Sequence, residues 1–416
     1  VKMVDGTAIR SRQELVRGVS INSRVAKPGE LFFALKGNRT DGHKYVDDAL
    51  RHGALAAVVQ QTRSIPEEIQ VRDTLFALGE LARNYRSHFS IKTIGITGTN
   101  GKTTVKNLVA AILSRSNRVV STNKNYNSLI GLPLTILRIS GSEDYLVLEM
   151  GTNAPGEIKR LCDIAQPDIG VITNVGPGHL EGLNSIDGIR KEKLSLVDAL
   201  PADGIGVLGE GVDLSGRGNI TKFSTDMLEA VEITECGSHF SFGGNSFSTK
   251  LLGIGNVYNC LAAICLASRL GIDHETQRTA IAEVKPEPGR MEPLLMDKVL
   301  VIDDTYNANP VSVKAAIDFV AKSGRRKILV LGDMLELGAQ SEALHGEVGA
   351  YAHRYADVLL THGHEAKHYG GRHFSEQGGL LRYLVESIWG DEIVLLKASR
   401  VLRFERIVNA LGKLLR

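Results

Sequence analysis

Cysteine is scarce in this sequence, and its four residues show no metal-finger spacing. They stand at Cys162, Cys236, Cys260 and Cys265. Because so few cysteines cannot form a disulfide framework, we expect reduced, buried thiols in a cytoplasmic protein. The chain also lacks any apolar run close to the roughly 18 residues that a membrane span needs. We therefore expect neither a membrane span nor a signal peptide.

The sequence also lacks a large excess of positive or of negative charge. The chain has 49 Lys and Arg against 47 Asp and Glu. The resulting net charge of +2 gives no bulk electrostatic reason to expect a nucleic-acid partner. Internal repeats and low-complexity linkers are also lacking. What remains is an ordinary globular composition, and at ~100–200 residues per domain the length suggests two to four domains. We expect a monomer.

Short apolar runs alternate with helical patterns along most of the chain. Unbroken apolar strands are typical of a parallel sheet that is buried on both faces, so we predict an α/β fold. The runs that support this prediction are TIGIT, YLVLEMG, DIGVITNVG, KVLVIDD, KILVLGDM, DVLLTHG and EIVLLKASR. Residues 237–255 differ, because their short runs and glycines predict a small antiparallel patch.

Two interruptions divide the chain. A helical pattern ends before Ser90, and Pro286, Pro288 and Gly289 interrupt any regular element further along. We therefore predict an N-terminal domain at residues 1–89, a central domain at 90–289 and a C-terminal α/β domain at 290–416.

The stretch GITGTNGKTT, residues 95–104, has the features of a phosphate-binding loop. A strand at 93–97 runs into glycines that aim backbone N–H groups inward, and a helix follows, whose N-terminus favours anions. Lys102 can reach terminal phosphates, and Thr103 can ligate Mg²⁺. Ile96 stands where the strict pattern has glycine, and a Gly-rich turn with a solvated lysine is the alternative. The predicted nucleotide contacts of the loop are Gly98, Thr99, Asn100, Gly101, Lys102, Thr103 and Thr104. The loop alone leaves open whether the protein is a motor, a switch, a kinase or a ligase.

The motifs around this loop extend the pattern over nearly the whole chain. In order they are TGTNGKTT, NKNYNSLIGLPLTIL, VLEMGTNAPGEI, ITNVGPGHLEGLNSIDGIRKEK, GNVYNCLAA, PGRME, DDTYNANPVSVKAA, LGDMLELGAQSEALHGEVG and KASR. The set resembles the Mur ligase family, which includes folylpolyglutamate synthases and joins a carboxylate to an amine with ATP. The resemblance implies an N-terminal UDP-sugar-binding α/β domain, a central P-loop ATPase-like parallel sheet and a C-terminal Rossmann-like α/β domain.

Three motifs point to one branch of the family. DDTYNANP, HLEG, and GDMLELG with a following His345 resemble the enzymes that join D-alanyl-D-alanine to UDP-N-acetylmuramoyl-tripeptide in peptidoglycan synthesis, through an acyl phosphate. The Asp-Asn-Pro-Arg motif, typical of the branch that adds the third amino acid, is absent. Two alternatives stay open: another amide ligase that adds a single amino acid, and a non-catalytic nucleotide-dependent binding module.

Glu149 ends the apolar run YLVLEM. Ligand sites in parallel sheets collect at the carboxyl ends of strands, so Glu149 is placed to ligate Mg²⁺, as the resemblance also implies. The alternative is a buried glutamate paired with a lysine, and burial without any partner would be costly.

The resemblance implies further ligands for two magnesium ions. His179 matches the family's magnesium-binding histidine, with Asn174 and Glu181 as orienting groups. Lys193 lies fourteen residues later, where the family has a lysine that CO₂ carbamylates. The alternatives are a structural loop histidine and an exposed helix lysine, with Lys191 as a rival. The implied catalytic residues are Lys102, Glu149, His179 and Lys193, and Thr103 joins the last three as metal ligands.

The resemblance also assigns contacts with the substrates. For the nucleotide it implies Asn256, Asn259, Arg290, Asp304, Tyr306 and Asn309. Arg290 suits phosphates and Asp304 suits the ribose hydroxyls. Ser23, Arg24 and Lys36 match positions near the uracil and diphosphate of the UDP-sugar. Asn125 and Asn127 are expected beside the acyl donor, and Arg400 is a candidate for the free carboxylate of D-alanyl-D-alanine.

Overall fold

The computed structural model describes residues 2–4, 6–8, 15–37, 40–178, 180–212 and 219–415. Within these residues the chain forms three α/β units, each built on its own sheet, and a small antiparallel sheet. The predicted α/β class is therefore confirmed. No helix in the described ranges is long and apolar enough to cross a bilayer.

The N-terminal unit contains a mostly parallel sheet with the order β1-β5-β4-β3-β2, in which β1 alone is antiparallel to its neighbour among the described strands. Its buried core includes Phe33, Val58 and Leu78. The side chain of Asp73 accepts a hydrogen bond from Phe76 N (2.7 Å) and caps the second helix. The elements are β1 (Thr7–Ala8), β2 (Gly18–Ser20), β3 (Glu30–Phe33), α1 (Val46–Arg51), β4 (Ala56–Val59), β5 (Glu68–Gln70) and α2 (Thr74–Arg86).

The central unit has a parallel sheet in the order β11-β10-β9-β6-β8-β7, so that β6, which leads into the phosphate loop, lies inside the sheet. Its strands are β6 (Lys92–Thr97), β7 (Val119–Ser121), β8 (Tyr145–Glu149), β9 (Ile169–Ile172), β10 (Ile205–Leu208) and β11 (Ile220–Lys222). Its helices are α3 (Lys102–Leu113), α4 (Gly131–Ile136), α5 (Glu157–Ala165), α6 (Leu180–Leu183), α7 (Ile186–Asp198), α8 (Ile254–Arg269) and α9 (His274–Glu283).

The predicted antiparallel patch is present in this unit. Its strands are β12 (Ala230–Thr234), β13 (Gly237–Phe242) and β14 (Asn245–Thr249), in the order β12-β13-β14. The rings of Phe240 and Phe247 stack across it at 5.4 Å and join the core that packs on α3. The α3 side chains of Val105, Leu108 and Ile112 are buried in the same core.

The C-terminal unit has a sheet in the order β15-β16-β20-β17-β18-β19, parallel except for the edge strand β15. Residues at or just after the carboxyl ends of β16, β17 and β20 line the same cavity as the central unit's phosphate loop. Its strands are β15 (Glu292–Met296), β16 (Val299–Asp304), β17 (Arg326–Gly332), β18 (Val358–His362), β19 (Arg372–Phe374) and β20 (Glu392–Lys397). Its helices are α10 (Pro310–Ala321), α11 (Ser341–Ala352), α12 (Gln377–Glu386) and α13 (Glu405–Leu414).

His345 in α11 is fully buried and holds the segment after β17. Its Nε2 accepts a hydrogen bond from Met334 N (2.9 Å), and its Nδ1 donates to Ser341 O (2.7 Å). Accepting at Nε2 requires the neutral ring, and burial lowers the pKa of His345 below its ordinary value.

Acid is therefore expected to weaken this unit through His345. The unfolded ring takes up a proton at its ordinary pKa while the folded ring resists, so this stability is present above that pKa and is lost as pH falls through it. His345→Gln can keep both hydrogen bonds without titrating. Urea unfolding between about pH 7.5 and about pH 5.5 should show the wild type losing free energy of unfolding relative to the variant. Parallel pH curves would contradict this expectation.

Candidate active site

A cavity of about 800 Å³ lies between the central and C-terminal units. It is lined on one side by the phosphate loop and the start of α8, and on the other by the segments after β16 and β17. The structure thus brings together residues from Thr99 to Lys397, which lie far apart in the chain. The predicted nucleotide contacts that line it are Thr99, Asn100, Gly101, Lys102, Thr103, Thr104, Asn256, Asn259, Arg290, Asp304, Tyr306 and Asn309.

Glycine is required at two positions of the loop because neighbouring atoms lie too close to leave room for a side chain. Gly98 has φ +150° and Gly101 has φ +81°. A Cβ at Gly98 would lie 1.8 Å from Thr173 Oγ1, and one at Gly101 would lie 2.1 Å from Asn259 Oδ1. The Lys102 ammonium donates to the carbonyls of Gly98 (2.8 Å) and Thr99 (3.2 Å), which folds the side chain over the loop. This is the concave backbone arrangement that receives phosphates at a helix N-terminus.

Asn174, which follows β9, clamps the peptide of Asn100. Asn100 N donates to Asn174 Oδ1 (3.0 Å), and Asn174 Nδ2 donates to Asn100 O (3.2 Å). Thr173 Oγ1 donates to the same carbonyl at 2.5 Å. The loop's shape therefore depends on the end of a neighbouring strand. The role predicted for Asn174 beside His179 stays a prediction.

Asn174→Ala is expected to weaken ATP binding by about tenfold or more, because the Asn100 peptide loses two partners at ~1–3 kcal/mol for an unsatisfied group. Asn117→Ala is a matched control, since Asn117 Nδ2 bonds Leu113 O at the far end of α3. Titration calorimetry with ATP compares the two variants. Equal ATP affinity in both would show that the clamp is unimportant.

Glu149 stands at the end of β8 and is almost completely buried. Its Oε2 accepts from Thr103 Oγ1 (2.8 Å), and its Oε1 accepts from Asn127 Nδ2 (2.7 Å). Arg290 donates to the same Thr103 hydroxyl at 2.9 Å. A carboxylate and a hydroxyl suit Mg²⁺, which takes few protein ligands and completes its shell with phosphates and water. The described residues hold no group of three or more His, Cys, Asp or Glu side chains placed for a metal, and His179 lies outside them.

Lys193 is among the most deeply buried charged side chains described, at 1% exposure in α7. Burial, and then the nearby charge of Lys102, place the pKa of Lys193 well below its ordinary value, although Glu192 opposes the shift. Lys191 in the same helix is exposed. Lys193 is thus buried with a lowered pKa and its rival Lys191 is exposed, but Lys193 is outside the cavity lining, and the choice between them stays a prediction.

The C-terminal unit supplies the other wall of the cavity. The Arg290 guanidinium stacks on the Tyr306 ring at 3.9 Å. Asp304 pairs with Lys397, and its Oδ1 accepts from Met291 N (3.1 Å). Lys397 also donates to Asn307 O (3.0 Å), which ties the ends of β16 and β20 together.

A direct contact joins this wall to the phosphate loop. Asn309 Nδ2 donates to Asn100 Oδ1 at 2.7 Å. The Oδ1 of Asn309 caps α10 by accepting from Ser312 N (2.9 Å). One side chain thus starts a helix of the C-terminal unit and contacts the nucleotide loop of the central unit.

Two buried lysines were missed in the sequence: Lys397 lines the cavity, and Lys106 lies outside its lining. Lys397 ends the apolar run of β20 in the same way that Glu149 ends β8, so the same rule would have found it. Lys106 lies one turn after Lys102 on α3, is buried, and donates to Thr122 O at 2.9 Å. Its signal was a charged residue on the buried face of a predicted helix.

Most of the residues predicted to contact the UDP-sugar, the tripeptide and the dipeptide lie outside this cavity. Asn127 lines the cavity, whereas Asn125 is exposed in the same loop. Arg400 is exposed outside the lining, makes an ion pair with Glu405 at 3.3 Å and lies 5.9 Å from the Tyr306 ring. Of the other predicted contacts, Ser23, Arg24 and Lys36 lie in the N-terminal unit and line none of this cavity.

Family models match most of the chain. The Mur ligase family catalytic domain matches residues 15–86, the Mur ligase middle domain matches 96–267, and the Mur ligase glutamate ligase domain matches 289–400. The chain therefore belongs to the Mur ligase family.

Several of its relatives carry the name of one branch of that family. The chain is 36% identical to the UDP-N-acetylmuramoyl-tripeptide–D-alanyl-D-alanine ligase of Bacillus subtilis, over 99% of this chain and 96% of the relative. The enzyme of that name from Escherichia coli is 33% identical over 94% and 93%.

Solved structures of this branch share the fold. The crystal structure of MurF from Acinetobacter baumannii has a TM-score of 0.93 at 28% identity, covering 99% of this chain and 97% of that one. MurF ligase from Thermotoga maritima in complex with ADP has a TM-score of 0.88 at 30% identity, covering 97% and 99%.

Proposed function

We propose that this protein is an ATP-dependent ligase that joins D-alanyl-D-alanine to the terminal carboxylate of UDP-N-acetylmuramoyl-tripeptide. The observation that carries the proposal is the cavity that gathers the phosphate loop, the Thr103–Glu149 pair and the Asp304–Tyr306 wall. Full-length similarity to enzymes of that name supports the choice of substrates. The products are ADP, phosphate and the UDP-muramoyl-pentapeptide.

The chemistry needs cations beside a carboxylate. A free carboxylate acylates poorly because its leaving group would be oxide, whereas transfer of the γ-phosphoryl group gives an acyl phosphate that loses phosphate. Lys102 and Arg290 stand where two anions must approach each other, and so they lower the repulsion. The amine then attacks the acyl carbon, and phosphate leaves.

Magnesium and a modified lysine belong to this proposal. Thr103 and Glu149 would hold Mg²⁺, which neutralises phosphate charge when it is bound, and His179 with Lys193 would serve a second ion. Burial favours the neutral form of the Lys193 amine, which can add CO₂ and release a proton to give an anionic carbamate. The buried position of Lys193 beside the charge of Lys102 supports that modification.

The division into domains at 1–89, 90–289 and 290–416 is also proposed. The N-terminal domain would hold the UDP-sugar through Ser23, Arg24 and Lys36, and Asn125 and Asn127 would lie near the tripeptide. A closing C-terminal domain would exclude water from the acyl phosphate. We propose a monomer, and we propose that it acts in the cytoplasm because the substrates are ATP and a UDP-sugar.

A phosphate-release assay tests this proposal. Wild-type protein with ATP, Mg²⁺ and UDP-N-acetylmuramoyl-tripeptide should release phosphate when D-alanyl-D-alanine is added, and not when single amino acids replace it. Turnover with a single amino acid and none with the dipeptide would indicate another amide ligase. ATP binding without turnover under any of these conditions would indicate a binding module.

A further inference from the structure

Hydrogen bonds of its backbone and of the Asp333 side chain hold the segment after β17, residues 333–337, in place. Met334 N donates to His345, and Leu335 N donates to Ser399 Oγ (2.9 Å). The buried carboxylate of Asp333 accepts the N–H groups of residues 364–366 at 2.7–2.9 Å. Such a network leaves the segment little freedom, so the side chain it presents to the cavity is held in position.

That side chain is Glu336, which lines the cavity and is exposed to it. Its backbone is left-handed, with φ +66°. Glycine or asparagine adopts this conformation at lower cost, so a glutamate here opposes the backbone preference. Glu336 O accepts a hydrogen bond from Glu181 N of the central unit at 3.1 Å, which places this strained residue at the junction between the two units.

Glu336 and Lys102 line the same cavity. Its negative charge raises the pKa of Lys102, against the larger effect of burial. Lys102 marks where the terminal phosphate would lie, and the acyl carbon must be next to that phosphate. A cationic group bound by Glu336 would therefore lie on the side of the cavity from which an amine reaches that carbon.

The second substrate of the proposed reaction carries both charges. A free dipeptide is a zwitterion near neutral pH, with an ammonium at one end and a carboxylate at the other. Arg400, the residue expected to receive the carboxylate, follows Ser399, and Glu336 follows Leu335. Leu335 and Ser399 are hydrogen-bonded to each other, so the residues that follow them, the anionic Glu336 and the cationic Arg400, have neighbouring backbones.

We propose that Glu336 binds the ammonium group of the incoming dipeptide and places its nitrogen beside the acyl carbon, where the nitrogen attacks after it has lost a proton to water. Arg400 leaves its ion pair with Glu405 and binds the carboxylate. This inference rests on the proposed function, and it makes Glu336 a specificity residue for zwitterionic acceptors of this length. The negative charge of the Glu336 side chain, and not its left-handed backbone, is what binds the ammonium group.

The test compares two ligands across variants of Glu336. In Glu336→Gln the KM for D-alanyl-D-alanine should rise by about ten- to a hundredfold, with the KM values for ATP and UDP-tripeptide unchanged. Propanoyl-D-alanine lacks the ammonium, so its inhibition constant should be the same in wild type and variant. Glu336→Asn, which suits the left-handed backbone, should behave like Glu336→Gln, and Glu342→Gln on the exposed start of α11 is the matched control.

The outcomes separate the claims. If both ligands weaken equally, Glu336 supports the structure rather than the ammonium, and the inference is overturned. If the dipeptide KM is unchanged while the Mg²⁺ requirement rises, Glu336 acts at the metal and the inference is again wrong. Absence of wild-type turnover with the dipeptide refutes the proposed function itself, and the inference falls with it.

Discussion

Lys102→Ala should abolish ligation, lowering kcat by about a thousandfold or more, which corresponds to ~4 kcal/mol of lost transition-state stabilisation. The ammonium lies over the loop, bonded to Gly98 and Thr99 carbonyls, where a terminal phosphate would replace those bonds. Transfer of the γ-phosphoryl group brings two anions together in a partly buried space. Arg290 remains bonded to Thr103 in this variant, but it does not contact the loop carbonyls, so loss of Lys102 leaves much of that repulsion uncompensated.

Lys92→Ala is the control for this experiment. Lys92 is exposed at the first residue of β6, at the end of the strand away from the loop. Phosphate release with all three substrates measures both variants, and ATP binding by calorimetry shows whether Lys102→Ala still folds. Retention of more than about a tenth of the wild-type kcat in Lys102→Ala would contradict the assigned role.

Lys193→Ala should also remove turnover, and short-chain carboxylates such as acetate should restore part of it. Desolvation and then Lys102 lower the pKa of the buried amine, which favours the neutral form that reacts with CO₂. Alanine leaves a space beside the site that a small carboxylate can enter as a substitute anion. We expect a loss of about a hundredfold or more, with a rescue that grows with carboxylate concentration.

Lys191→Ala is the matched control, because Lys191 lies on the same helix two residues earlier and is exposed. It should keep full activity and show no response to acetate. Mass spectrometry of the intact wild-type protein in bicarbonate buffer should show the added CO₂, which is absent in Lys193→Ala. Undiminished activity in Lys193→Ala would exclude the carbamate.

The phosphate loop and Glu149 could be predicted because both depend on local pattern. A strand, two glycines, a lysine and an apolar helix face follow one another within twenty residues, and each is a separate signal in the sequence. Glu149 was found because a carboxylate at the end of an apolar run needs a partner. In the structure it has two, Thr103 and Asn127.

The remaining geometry depends on contacts between distant segments. The Asp304–Lys397 pair joins residues 93 positions apart, and the Asn309–Asn100 bond joins residues 209 positions apart. No periodicity encodes such pairs, because they result from how two sheets pack against each other. The left-handed backbone of Glu336 was equally hidden, since glutamate is a poor indicator of that conformation. The antiparallel direction of β15 also differs from the otherwise parallel pattern, because a short hairpin joins it to β16.

An oxygen-tracing measurement tests most directly whether this cavity activates a carboxylate by phosphorylation. The terminal carboxylate of UDP-N-acetylmuramoyl-tripeptide is labelled with ¹⁸O, and the phosphate released with ATP and D-alanyl-D-alanine is analysed by mass spectrometry. Phosphorylation of the carboxylate predicts that each phosphate carries one ¹⁸O atom, because the acyl oxygen leaves with phosphorus. Phosphate without ¹⁸O, released while the peptide bond forms, would contradict an acyl phosphate and the roles assigned to Lys102, Glu149 and Lys193.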